Sequence, residues 1–145
     1  MSKQQFARSA YGRIYRQAFL VLLTLFCLLG LGIGKSVFTL PSKLLSDTEK
    51  EYGEYAKRRL VAWQNLIRDN GGIPESEKLE KVNTFFNRIQ FVDDIVHWKK
   101  KDYWATPVEF LSTNGGDCED FSLAKYFTLK ALGVPESKLN MTYVK

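Results

Sequence analysis

Histidine is almost missing from these 145 residues, with His97 alone. Cysteine is scarce as well: only Cys27 and Cys118 occur. No C-x-x-C pair and no Cys/His cluster exists, which excludes a zinc site built on thiolate and imidazole ligands. Cys27 lies inside an apolar run, away from Cys118, so no internal disulfide staples the globular part. Acid is absent before residue 35, where Lys3, Arg8, Arg13 and Arg16 supply all but one unit of the net charge of +5. The remainder is close to neutral and offers no basic patch for nucleic acid. Lys99-Lys100-Lys101 is offset by Asp102 and nearby Asp93 and Asp94, and reads as a solvated loop or helix end. There is no internal repeat, no low-complexity tract and no spaced twelve-residue EF-hand loop.

What is present begins with an export signal. A basic segment precedes an almost unbroken apolar run from Ala18 to Ile33, interrupted only by Thr24 and two glycines. The run is short for a membrane span, which needs about 20 residues. It is slightly long for a cleaved signal, where roughly 7–15 apolar residues suffice. No A-x-A-like cleavage site follows. Residues 1–34 are therefore expected to be a signal peptide or an N-terminal membrane anchor that places residues 35–145 in the periplasm. A free thiol on the exported side is exposed to oxidation, so Cys118 needs a reason to be there.

The rest has the length and the apolar content of one modest domain, 45% hydrophobic and 14% aromatic for the whole chain. Val37 to Leu45, with Pro41, reads as a connector. Ser46-Asp47-Thr48-Glu49 is a capping-box pattern. It predicts a helix through Tyr52, Tyr55, Ala56, Leu60, Trp63 and Ile67 that Gly71-Gly72 ends. Pro74 opens a second helical pattern through Leu79, Val82, Phe86 and Ile89. Thr106-Pro107-Val108-Glu109 is a second capping box with proline at N1, starting a short helix that ends near Leu111. Pro135 to Leu139 reads as a turn or helical stub, and Met141-Thr142-Tyr143-Val144 as the start of a strand.

The chemistry gathers at Asn114-Gly115-Gly116-Asp117-Cys118-Glu119-Asp120-Phe121. Two glycines allow a tight turn and a close approach. The pattern after them, with Leu123, Ala124, Phe127 and Ala131 at helical spacing and Gly133 and Pro135 beyond, predicts a helix with Cys118 in its first turn. Unpaired N–H groups and the helix dipole there favour an anion, and a thiolate is both an anion and a nucleophile. Three carboxylates beside it argue against a dry core position, since charge is costly to bury. They also suit calcium, a hard cation that takes about six to eight oxygen ligands, or they simply complement the helix N-terminus. His97, beside Trp98, reads as a packed or surface residue.

The succession Trp104, Thr106-Pro107, Glu109, Leu111, Gly115-Gly116-Asp117-Cys118-Glu119-Asp120, Lys125 and Leu132-Gly133 resembles the bacterial transglutaminase-like cysteine proteinases, the family of the LapG-type periplasmic proteases. The resemblance covers roughly residues 77–145, and Gly-Asp-Cys-Glu-Asp is its most specific part. It implies an α+β, papain-like or transglutaminase-like cysteine protease fold, here its mostly helical N-terminal half, with the cysteine at the start of a helix packed on an antiparallel sheet. The chain is then expected to be truncated at the first strand of that sheet. By the match Cys118 is the nucleophile of a Cys-His-Asp triad, and Asp117 and Glu119, with Asp120 as a further candidate, are ligands of a calcium cofactor. The implied activity is cleavage of a large surface adhesin in the periplasm, under the control of calcium and of an inner-membrane cyclic-dinucleotide receptor. The family's histidine and aspartate follow the cysteine, and His97 does not correspond to them. As written, the chain is therefore expected to be inactive. Two other readings stand beside the protease: a catalytically dead, membrane-anchored binding module, and a transglutaminase-type acyl transferase.

Overall fold

The computed structural model describes residues 38–142. The expected export segment and the last three residues lie outside them. Helix α1 (Ser42–Tyr52) is followed by α2 (Glu54–Asn70) and α3 (Glu75–Phe86). Strand β1 (Gln90–Phe91) and the one-turn helix α4 (Asp94–His97) come next. Then come α5 (Pro107–Thr113), β2 (Gly115–Gly116) and α6 (Cys118–Ala131), and a 3₁₀ turn at Glu136–Lys138. The architecture is mostly helical with one small sheet. No helix among the described residues is long and apolar enough to cross a membrane.

Each of the four prolines stands at a helix start. Pro41, Pro74 and Pro135 are the residues just before a helix, and Pro107 is the first residue of α5. A proline has no N–H to lose at that position, and its fixed φ suits it. This corrects the first expected boundary. Pro41 precedes α1, whose first residue, Ser42, lies four residues before Ser46, so the Ser46–Glu49 pattern lies within the helix and does not cap its start. The expected single helix is also divided, because Gly53 adopts φ 85° between α1 and α2. The break shifts the helical phase, and Tyr52 and Tyr55 face solvent, while Ala56, Leu60, Trp63 and Ile67 are buried as expected.

The core gathers Leu60, Trp63, Ile67, Val82, Phe86, Phe110, Ala124 and Leu129 from four helices, with Leu132 just past the end of α6. Phe86 stacks on Phe110, which meets Phe121 edge-on at a centroid separation of 4.7 Å. Complete burial of such a side chain stabilises by about 1.5–3 kcal/mol. Helix α6 buries a different stripe from the expected one. Of Leu123, Ala124, Phe127 and Ala131, only Ala124 is buried, whereas Asp120, Thr128 and Leu129 are. Two of the true core positions are polar and fully paired, so counting apolar residues could not find them. Thr128 Oγ1 accepts from Trp63 Nε1 at 2.8 Å and donates to the Ala124 carbonyl at 2.6 Å.

The sheet is a two-residue parallel pair, Gln90 with Gly115 and Phe91 with Gly116. The antiparallel sheet that the resemblance implies is not found among the described residues, and Met141 and Thr142 have no regular structure.

Candidate active site

Cys118 is the first residue of α6 and is exposed. A chain of local devices delivers it there. Thr106 and Glu109 form the expected capping box at the start of α5, with Glu109 N–H donating to Thr106 Oγ1 and Thr106 N–H to Glu109 Oε2. Arg59 from α2 closes the other end, donating to the carbonyls of Leu111 and Ser112. Asn114 then turns the chain through a left-handed conformation, φ 58°. This conformation is tolerated by asparagine better than by most residues.

The two glycines are there for close approach rather than for a positive φ. A Cβ at Gly116 would lie 2.4 Å from Asp120 Oδ2 and 2.7 Å from the Phe110 ring. A Cβ at Gly115 would sit 3.1 Å from the His97 ring. Gly116→Ala is expected to lower stability by about 1–3 kcal/mol, the usual effect of overpacking, read as a fall in melting temperature. Gly71→Ala, where a Cβ meets nothing within 4 Å, serves as the control.

The three neighbouring carboxylates divide into two groups. Asp120 is fully buried beneath Gly116. It accepts from the Ala105 N–H at 2.7 Å and the Asp117 N–H at 3.3 Å. Asp117 and Glu119 instead face Asp94 from α4, and the three offer carboxylate oxygens within 4.8 Å of one another. Sequence reading missed Asp94, taking it for a surface counter-charge, yet it is 3% exposed. Only its place beside Asp93 marked it, and it is far from Cys118 along the chain. One Asp94 oxygen accepts from the Tyr103 N–H. The other, Oδ1, is buried with no hydrogen-bond partner, and so is Asp117 Oδ1. Two bare buried oxygens in an all-oxygen cluster fit a hard cation such as calcium. Asp120 has no place in that cluster.

Crowding affects protonation. Burial, then the Glu119 carboxyl beside it, raises Asp117 to about 7. Burial raises Asp120 to about 6 against the two N–H groups that favour its charge. A carboxyl whose folded value lies above its unfolded one, about 3.9, holds its proton longer in the fold. Its stabilising contribution is complete below about pH 4 and is lost as pH rises through the folded value. In chelator the melting temperature is therefore expected to fall between pH 5 and 7.5, and Asp117→Asn to flatten that slope.

Trp104, Cys118, Glu119, Ser122, Lys125 and Tyr126 line a cleft of about 710 Å³, which Leu139 to Thr142 close on one side. His97 is not among its lining residues. The His97 ring packs against Gly115 and stands edge-on to Trp98, and its Nε2 is buried without a partner.

The sequence profile of the bacterial transglutaminase-like cysteine proteinases matches residues 68–145, more than half of the chain. The chain belongs to that family. Among solved structures of this proteinase type, the described fold is similar to LapG of Legionella pneumophila. That match has 43% identity and a TM-score of 0.55, and covers 66% of this chain and 52% of LapG. The EGTA-treated LapG gives 43% identity and 0.55, over 66% of this chain and 50% of that one. The calcium-bound LapG gives 41% identity and 0.55, over 68% and 54%. The chain thus spans about half the length of the proteinase structures it matches. No curated protein matches it.

Proposed function

We propose that this chain carries the nucleophile and part of the calcium site of an exported cysteine endopeptidase that cleaves a large surface adhesin in the periplasm. The observation that carries the reading is Cys118, exposed at the N-terminus of α6 on a cleft of substrate size. Membership of the proteinase family and likeness to LapG support it. The Cys118 thiolate attacks the scissile carbonyl carbon, the C–N bond breaks, and the amine leaves with a proton. Water then hydrolyses the thioester and frees the acid and the thiol. The Asp117 side chain takes the Asp120 N–H in a capping box, and the positive end of the α6 dipole, with the remaining first-turn N–H groups, favours negative charge at Cys118. The general base is the histidine that the family places after the cysteine, because His97 does not reach the cleft.

Asp94, Asp117 and Glu119 would hold calcium, and a calcium-bound LapG supports this assignment. When bound, the ion supplies positive charge that offsets the carboxylates flanking the thiol. Asp120 acts from below, fixing the backbone of Ala105 and Asp117. An inner-membrane receptor for a cyclic dinucleotide is the partner expected to control access to the protease. The test is cleavage of the adhesin, in calcium and in chelator, by residues 35–145 joined to the C-terminal half of a LapG-type protease, which supplies the histidine and aspartate; residues 35–145 alone are expected not to cleave. Cleavage in calcium and its loss on chelation are expected; no cleavage in either rejects the protease, and equal cleavage in both rejects the calcium control.

A further inference from the structure

Between α4 and α5 the chain runs through an irregular loop, residues 98–106, whose backbone is strapped at two points to the carboxylates around Cys118. Tyr103 N–H donates to Asp94, and Ala105 N–H donates to Asp120 Oδ1 at 2.7 Å. The residue between these two anchors is Trp104. Its indole donates to Asp102 Oδ1 at 3.0 Å, and its ring lines the cleft beside Cys118 and Glu119. Tyr103 is tied further, its hydroxyl donating to Glu109 Oε1 at 2.9 Å.

The two anchors differ. Asp120 has both oxygens engaged by backbone N–H groups. Asp94 holds the loop with one oxygen and directs the other, bare and buried, among the oxygens of Asp117 and Glu119. A cation in that cluster takes hold of the same carboxylate that holds the Tyr103 N–H. Without it, Asp94 faces two like charges, and repulsion works against the strap.

We infer that Trp104 is a wall of the substrate cleft whose position is set by the cation through Asp94 and the Tyr103 N–H, so that metal occupancy shapes the surface that receives substrate beside Cys118. This rests on the calcium reading above. It makes Trp104 a substrate-touching residue and Asp94 a positioning residue as well as a ligand.

The experiment is a calcium chloride titration of the protein, followed in parallel by tryptophan emission with acrylamide quenching and by melting temperature. The wild type is expected to show a calcium-dependent emission change with reduced quenching. Trp104→Phe should lose that change while keeping the calcium-dependent rise in melting temperature, which shows that the variant folds and binds. If the melting temperature rises with calcium but emission does not change in the wild type, or still changes in Trp104→Phe, the strap is wrong and the calcium site stands. If calcium alters neither readout, the calcium site and the strap fall together.

Discussion

In residues 35–145 completed with the C-terminal half of a LapG-type protease, Cys118→Ala is expected to abolish cleavage, with a fall in kcat on the order of 10⁶-fold, the usual effect of removing a nucleophile that acts together with its base. The size follows from the covalent route. Without the thiolate no thioester forms, and the base and the cleft have nothing to activate. Loss of fold does not explain such a result, because Cys118 is exposed and is not one of the core residues. The melting temperature of the variant should stay within about 0.5 kcal/mol of the parent in stability terms. His97→Gln separates this site from one built on the chain's only histidine. It is expected to lower stability through its packing on Gly115 and to leave the folded enzyme's kcat unchanged.

The second large effect concerns metal. Ligands that bind only the folded state stabilise it by mass action, about 2.7 kcal/mol when free calcium is 100-fold above its dissociation constant. For a domain of this size that is a rise of about 10 °C in melting temperature. Asp117→Ala combined with Glu119→Ala should abolish the rise, and Asp94→Ala alone should reduce it sharply. Asp120→Asn is expected to keep calcium stabilisation, since Asp120 serves backbone N–H groups instead of the cluster. In chelator the double variant should melt higher than the parent, because it removes like charges that repel one another. An undiminished calcium shift in the double variant would take these residues out of the site.

Much of the site was legible because its signals are local. Gly-Gly-Asp-Cys-Glu-Asp and the Thr106–Glu109 capping box each specify backbone geometry within a few residues, and the structure has α5 and α6 starting where those patterns put them. What stayed hidden depends on distant partners. Asp94 enters the carboxylate cluster only because β1 pairs with β2 and brings α4 alongside the start of α6. Asp120 reads in sequence as a further candidate calcium ligand, yet it is buried and serves two backbone N–H groups, one of them 15 residues away at Ala105. The buried stripe of α6 escaped apolar counting for the same reason. Ser46 misled because a capping box fits any Ser-x-x-Glu, and only the proline upstream decides where the helix begins.

The most direct measurement of the central claim is inactivation of the completed protease by iodoacetamide, with adhesin cleavage and peptide mapping followed on the same samples. Alkylation of Cys118 should track loss of cleavage one for one. Full alkylation of Cys118 with cleavage intact would contradict the assignment of Cys118 as the nucleophile.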